Sequence, residues 1–252
     1  MEKSKGIVTV ISSIVLMTLA GTACAVDVNI DLKADYFGKY IWRGQNLANE
    51  SVFQPGITAA VGPFSVSIWG NLELTDKTDH EHEFTEFDYV LDYTDAFPGI
   101  EGLNYSIGTI YYDFPNTAYK PTTEVYGGLS FAMPLSPSFK WYRDLDEIDG
   151  SYFQLGLGHT FEKLKVWSDR SYCGLQLGAS VGWGNSTYNK GYFSVDNEKF
   201  NDFTFSAGLP MCIGSWTIKT SVSYSTILGG EIREATAKSD NIWVGVGLSK
   251  SF

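Results

Sequence analysis

Nine charged residues stand at alternate positions of short, otherwise apolar runs. Lys33, Asp35, Lys39 and Arg43 belong to the first run, and Glu73, Glu86, Asp88, Asp92 and Glu124 to later ones. If each run is a strand, these side chains point to one face and the apolar ones to the other. The cations concentrate on the first run and the acids on the run around residues 84–95. Around a pore, such a distribution sets up a transverse field. Paired closely, the same residues would brace and plug the interior, because buried charges need near partners. Spacing alone leaves both readings open.

Other candidate chemistry is sparse. Asp79-His80-Glu81-His82-Glu83 is the one dense group of metal-ligand types. With no second histidine cluster to complete a closed site, it reads as a solvated acidic loop, and no metal or cofactor is expected. The remaining histidine, His159, falls on the apolar face beside Phe161, where a lipid-facing hydrolase would be the enzymatic alternative. There is no CxxC and no glycine-rich phosphate loop, so the expectation is a protein that is not an enzyme. Cys173 and Cys212 are a candidate disulfide. In a hairpin of 172–184 with 200–209, pairing Gly184 with Asn201 would set Cys173 opposite Cys212. In an oxidising compartment that pair could bridge.

The elements that must position these residues follow from periodicity. From Val28 to Trp42 the even positions are apolar or aromatic, and most odd positions are polar. Eleven further runs behave similarly. The twelve expected strands are 27–43, 53–62, 64–75, 84–95, 103–113, 122–133, 138–144, 151–161, 172–184, 200–209, 215–226 and 241–252. On this parity Trp42 anchors the outer interface and Arg43 faces the mouth. Short turns at 62–63, 97–99, 134–137 and 210–214 alternate with polar loops at 44–52, 76–83, 114–121, 145–150, 185–199 and 227–240. Residues 162–171 form a long connection that would lie at the interface. In lipid every backbone group must be satisfied internally, so alternating strands can span only as a closed barrel. The expected fold is therefore all-β, a transmembrane antiparallel up-and-down barrel of about twelve strands, with both termini on the short-turn, periplasmic side.

The small residues Gly156, Gly158, Gly174, Gly178, Gly182, Gly184, Gly208, Gly245 and Gly247 share the inward face. They would leave space in the lumen or permit tight coiling. Opposite them stand Trp69, Tyr112, Tyr126 and Tyr142.

Lys3 and Lys5, an apolar stretch from Gly6 to Ala20 and Ala23-Cys24-Ala25 describe a secretory signal peptide cut after Ala25. This gives two regions: signal peptide 1–25 and barrel 26–252. The net charge is −11, which disfavours nucleic acid. Aromatics at 15% with only 8 prolines suit a barrel with aromatic girdles better than disorder. A secreted β-sandwich would also alternate, but it needs no Trp and Tyr at strand ends and no terminal Phe252. That terminal phenylalanine resembles the signal read by the outer-membrane assembly machinery, with Lys250 as a departure from it.

The stretch Tyr36-Phe37-Gly38-Lys39-Tyr40-Ile41-Trp42-Arg43-Gly44-Gln45, then Phe53-Gln54-Pro55-Gly56-Ile57, Val61-Gly62-Pro63-Phe64 and Trp69-Gly70-Asn71, resembles the TorF-like porins, also catalogued as a bacterial family of unknown function. The likeness is strongest over 34–75. It implies an outer-membrane barrel with a transport role and supplies no catalytic residues. Taken together, the expectation is a channel in outer-membrane lipid for small hydrophilic solutes, favouring cations because its loops are acidic. The alternative is a non-conducting structural or adhesive barrel.

Overall fold

The structure, a computed structural model, describes residues 27–252. The signal peptide expected at 1–25 lies outside the described residues. In chain order the strands are β1 (Asn29–Phe37), β2 (Tyr40–Trp42), β3 (Gln45–Ala48), β4 (Val52–Val61), β5 (Phe64–Glu73), β6 (Phe84–Ala96) and β7 (Leu103–Asp113). They continue with β8 (Thr122–Phe131), β9 (Ser138–Asp144), β10 (Ser151–Ser168), β11 (Ser171–Gly184), β12 (Lys199–Ile213), β13 (Trp216–Ile227) and β14 (Asp240–Ser251). Twelve of them close one antiparallel barrel, in which each neighbour in sequence is a neighbour in space and β1 seals against β14. The seam runs from Asp31 opposite Ser251 to Phe37 opposite Gly245. Closure leaves no strand edge at the seam, so the ladder can satisfy its backbone without water.

The expected parity holds around the wall. Leu32, Ile57, Ile68, Leu91, Ile107, Leu129, Leu155, Phe205, Val222 and Val246 all face outward and exposed. Gln54, Asn71, Glu86, Glu124, Asp144 and Asp202 are buried inside. Aromatic pairs mark the rims of the outer surface. Near the short turns Phe64 meets Tyr93 with ring centroids 4.9 Å apart; near the loops Phe153 meets Trp183 at 5.3 Å. Lys250 does not interrupt the terminal strand. Its ammonium lies 5.0 Å from the Trp216 ring and 4.1 Å from that of Phe252, so the cation rests against the girdle.

Three expectations are corrected. First, β1 stops at Phe37, and residues 40–48 leave the wall as a separate two-stranded hairpin. Second, the connection 162–171 is mostly strand: β10 and β11 run on with register shifts to a turn at Asp169 and Arg170. Third, the β11–β12 register is one residue away from the expected one. Cys173 faces Met211, and Cys212 faces Tyr172. A bulge between Gly182 and Trp183 sets Gly184 against Lys199 and leaves Asn201 unpaired in the ladder. Its carboxamide accepts the Gly184 N–H at 3.1 Å and donates to Asn189 at 2.7 Å. Adjacent positions of a strand project to opposite faces, so Cys173 points outward with Leu175. Cys212 points inward, its sulfur 3.6 Å from the Thr217 hydroxyl. Both are free thiols, and the expected bridge is not formed.

Candidate functional site: a hairpin seated in the barrel mouth

The β2–β3 hairpin turns through Arg43 and Gly44, with Trp42 paired to Gln45. A two-residue turn of this kind needs positive φ at both central positions. Arg43 has φ 45° and Gly44 φ 81°. Glycine adopts this freely, whereas arginine does so at a cost of roughly 1–2 kcal/mol. Glycine is also required for space, because a Cβ at Gly44 would lie 2.5 Å from Asp202 Cβ and 2.8 Å from Ile227 Cδ1. The turn is therefore pressed against the inner faces of β12 and β13.

What holds it there is the Arg43 side chain. Its two terminal nitrogens donate to the two oxygens of Glu124 on β8, at 2.8 and 2.7 Å. This bidentate geometry is the strongest form of the pair. Tyr112 donates a third hydrogen bond to Glu124 at 2.8 Å. The guanidinium lies 4.4 Å from the Trp42 ring, 4.3 Å from Tyr142 and 4.6 Å from Tyr152. Glu124 is 1% exposed, so the pair is sealed from water. Further along the hairpin, Tyr40 donates to Glu86 on β6 at 2.9 Å, and Asn46 donates to Asn241 on β14 at 2.6 Å.

A loop helix completes the filling. Asn185 caps the helix Ser186–Phe193 by accepting the Tyr188 N–H at 2.9 Å. Tyr188 and Phe193 then pack with Tyr152, Ile227 and Ile232, and Tyr192 packs against them. Inside the barrel mouth there is thus a small hydrophobic core. The glycine wall is used differently along its length. A Cβ at Gly182 would overlap the Tyr152 hydroxyl and the Asp202 carboxylate, whereas at Gly158 the nearest atom is 3.7 Å away. Near the loops Gly182 and Gly184 admit tyrosines, whereas lower down Gly158 leaves space and Gly247 admits the Asp35 carboxylate.

Below the hairpin lies a polar chamber of about 300 Å³, lined by Lys39, Gln54, Gln176, Ser206, Lys219, Ser221 and Ser223 among others. Above it an aromatic vestibule of about 460 Å³ opens among the loops.

The nine charged residues separate into groups. Arg43, Glu86, Asp88 and Glu124 converge around the hairpin. Asp92 is braced by the Tyr126 and Thr94 hydroxyls. Glu73 is buried at the loop end of β5. Lys33 and Asp35 face the lumen on β1, and Lys39 lines the lower chamber. Two expectations fail here. Arg43 does not face the open mouth but is buried within it in an ion pair, and Trp42 is not in the lipid interface but 5.2 Å from the Tyr192 ring inside the mouth. The sequence reading did not find Tyr188 and Tyr192. Their signal was the Asn185 cap followed by aromatic residues four apart on one helical face. The histidine loop at 79–83 stays at the surface, where His80 lies 3.4 Å from Glu83. Among the described residues no group of three or more His, Cys, Asp or Glu is placed to hold a metal.

A closed twelve-stranded barrel, apolar outside and polar within, is of the type found in outer-membrane porins. The NanC porin matches with a TM-score of 0.52 at 10% identity, over 88% of this chain and 98% of that one. An outer-membrane channel from Pseudomonas putida F1 gives 0.45 at 6% identity, over 91% and 97%, and Salmonella typhi OmpF gives 0.41 at 7%, over 90% and 97%. At these identities the likeness concerns the fold alone, and it is the NanC match that carries it. No family model matches the chain, and no curated protein matches it.

Proposed function

We propose that the protein is an outer-membrane channel of a Gram-negative-type bacterium, passing small hydrophilic solutes passively and favouring cations. The observation that supports it is a lumen bearing polar and charged side chains, with one chamber below the hairpin and an aromatic vestibule above it, inside a wall whose outer surface is apolar. On this reading residues 1–25 are a cleaved signal peptide, Phe252 is read by the assembly machinery, and the role involves no catalysis. Inward acids outnumber inward bases, and the loops add Asp76, Asp79, Glu81, Glu83, Asp146, Glu147 and Asp149. Such charge concentrates cations at an entrance. Kinship with TorF-like porins is part of the same proposal and rests on the motifs over residues 34–75.

Planar-bilayer recording of the refolded barrel in a salt gradient tests this. The expected reversal potential is that of a cation-favouring pore, and the preference shrinks as salt screens the mouth. Anion preference contradicts the selectivity. A second reading has its own observation, the buried Arg43–Glu124 pair that seats the hairpin. If the hairpin shuts the lumen, the natural protein is silent and conducts only once that pair is broken.

A further inference from the structure

The vestibule above the hairpin is built from rings. Trp42, Tyr112, Phe114, Tyr119 and Tyr192 line it, with Glu86 in the same lining. Tyr112 and Phe114 are parallel to within 2°, with centroids 6.3 Å apart. Trp42 stands 6.5 Å from Tyr112, and Tyr119 closes on Phe114 at 6.0 Å. Ring faces carry negative potential.

Among the described residues no cation pairs with the carboxylate in the lining. Glu86 is 5% exposed; it accepts a hydrogen bond from the Tyr40 hydroxyl and lies against the Asp88 carboxyl, close enough for the two to share a proton. The neighbouring cations are engaged elsewhere. Arg43 gives both its terminal nitrogens to Glu124, and Lys120 pairs with Glu147 at 3.1 Å. Asp88, two residues on along the same face of β6, keeps a buried oxygen with no hydrogen-bond partner. The vestibule therefore joins aromatic rings to a buried carboxyl pair that no cation bridges. An anion is disfavoured by both. A neutral solute gains the ring contacts but brings the carboxyl pair no counter-charge. A cation with an apolar surface satisfies both features.

We propose that this vestibule binds organic cations, specifically alkylated or quaternary ammonium groups, at the loop end of the barrel. The proposal rests on the channel reading in one respect only, that the site lies on the solute's path.

The test uses the full refolded barrel in a maltoside detergent, which carries no ammonium headgroup. Choline and its neutral isostere 3,3-dimethylbutan-1-ol are titrated by calorimetry and by saturation-transfer NMR. Choline is expected to bind at least about tenfold more tightly, the ratio that a desolvated cation–π contact supplies. Glu86→Gln should abolish that preference. Tyr119→Ala, at a side chain that is 76% exposed and safe for folding, should weaken choline about threefold or more. Equal affinity for the two probes in the natural protein overturns the proposal, as does the absence of choline binding. That comparison needs no variant, so a Glu86→Gln protein that fails to fold leaves it decided. Choline binding to a barrel that is silent in bilayers supports this site and sinks the channel reading. Conductance without choline binding does the reverse.

Discussion

Replacing Arg43 with alanine is expected to release the hairpin from the mouth while leaving the wall intact. The substitution leaves Glu124 sealed, with the Tyr112 hydroxyl as its remaining donor. Removing one partner of a buried ion pair costs about 3–5 kcal/mol. The barrel does not need to bear that cost globally, because the hairpin pairs only with itself and can swing out, letting Glu124 meet water. The cost therefore appears as a fall in the docked-to-undocked ratio of about two to four powers of ten. Hydrogen exchange of the amides in residues 40–48 reads that ratio directly. The wall, whose ladders do not include the hairpin, should keep its slow exchange and its heat-modifiable shift on gels. Replacing Glu124 as well, as Arg43→Met with Glu124→Met, should recover part of the loss, since the orphaned charge is then gone. Exchange over 40–48 in Arg43→Ala within about threefold of the natural protein would refute the reasoning, because an ion pair worth several kcal/mol cannot be removed so quietly.

Brominated lipid should quench Trp216 and leave Trp42 unaffected, as read with single-tryptophan variants; quenching of Trp42 would return it to the lipid face. Oxidation of the natural protein should give no intramolecular bridge on non-reducing gels. Met211→Cys with Cys212→Ser should bridge to Cys173 readily, because directly opposed residues lie ~4.5–5.5 Å apart. Gly182→Ala should destabilise the mouth by about 1–3 kcal/mol, since it displaces the Tyr152 hydroxyl from Asp202. Gly158→Ala should change denaturant midpoints by less than about 0.5 kcal/mol. Lys199, 2.9 Å away, holds the Glu231 carboxyl below its ordinary pKa. A depressed acid adds stability above its unfolded pKa and loses it as pH falls through the folded value. Amides around 228–239 should thus exchange faster at pH ~3 than at pH ~6 after correction for intrinsic rates, and an unchanged ratio would count against the clasp.

The wall was readable because lipid and lumen impose opposite demands on successive residues. Phe203, Phe205, Ala207 and Leu209 can face only one way, and Asp202, Thr204, Ser206 and Gly208 the other. The mouth was not readable for a matching reason. The alternation that carries β1 continues without a break through Tyr40 and Trp42, since a small hairpin lying against other side chains needs the same period as a strand lying against lipid. The turn dipeptide Arg43-Gly44 was the available sign, but it fell at the expected end of one long strand and read as the start of an outer loop. The cysteine register failed at its assumed start: Gly184 pairs with Lys199, two residues from Asn201, and the bulge at Asn201, which bonds Gly184 and Asn189 across a loop, takes back one of the two. Period-2 reasoning has no means of placing such an insertion.

The seat of the hairpin also orders events in time. Residues 40–48 come from the start of the chain, yet their anchors lie on β6, β8, β12 and β14. Arg43 and Glu124 are separated by 81 positions, and Asn46 and Asn241 by 195. Strands up to β8 supply Glu86 and Glu124, but Asp202, Ile227 and Asn241 join the seat only once the last strands have closed on the first. Complete docking is therefore a late step of assembly, since contacts of such long span must wait for the later loops to close. Full protection of the hairpin is thus a clock that runs out only when the ring is complete.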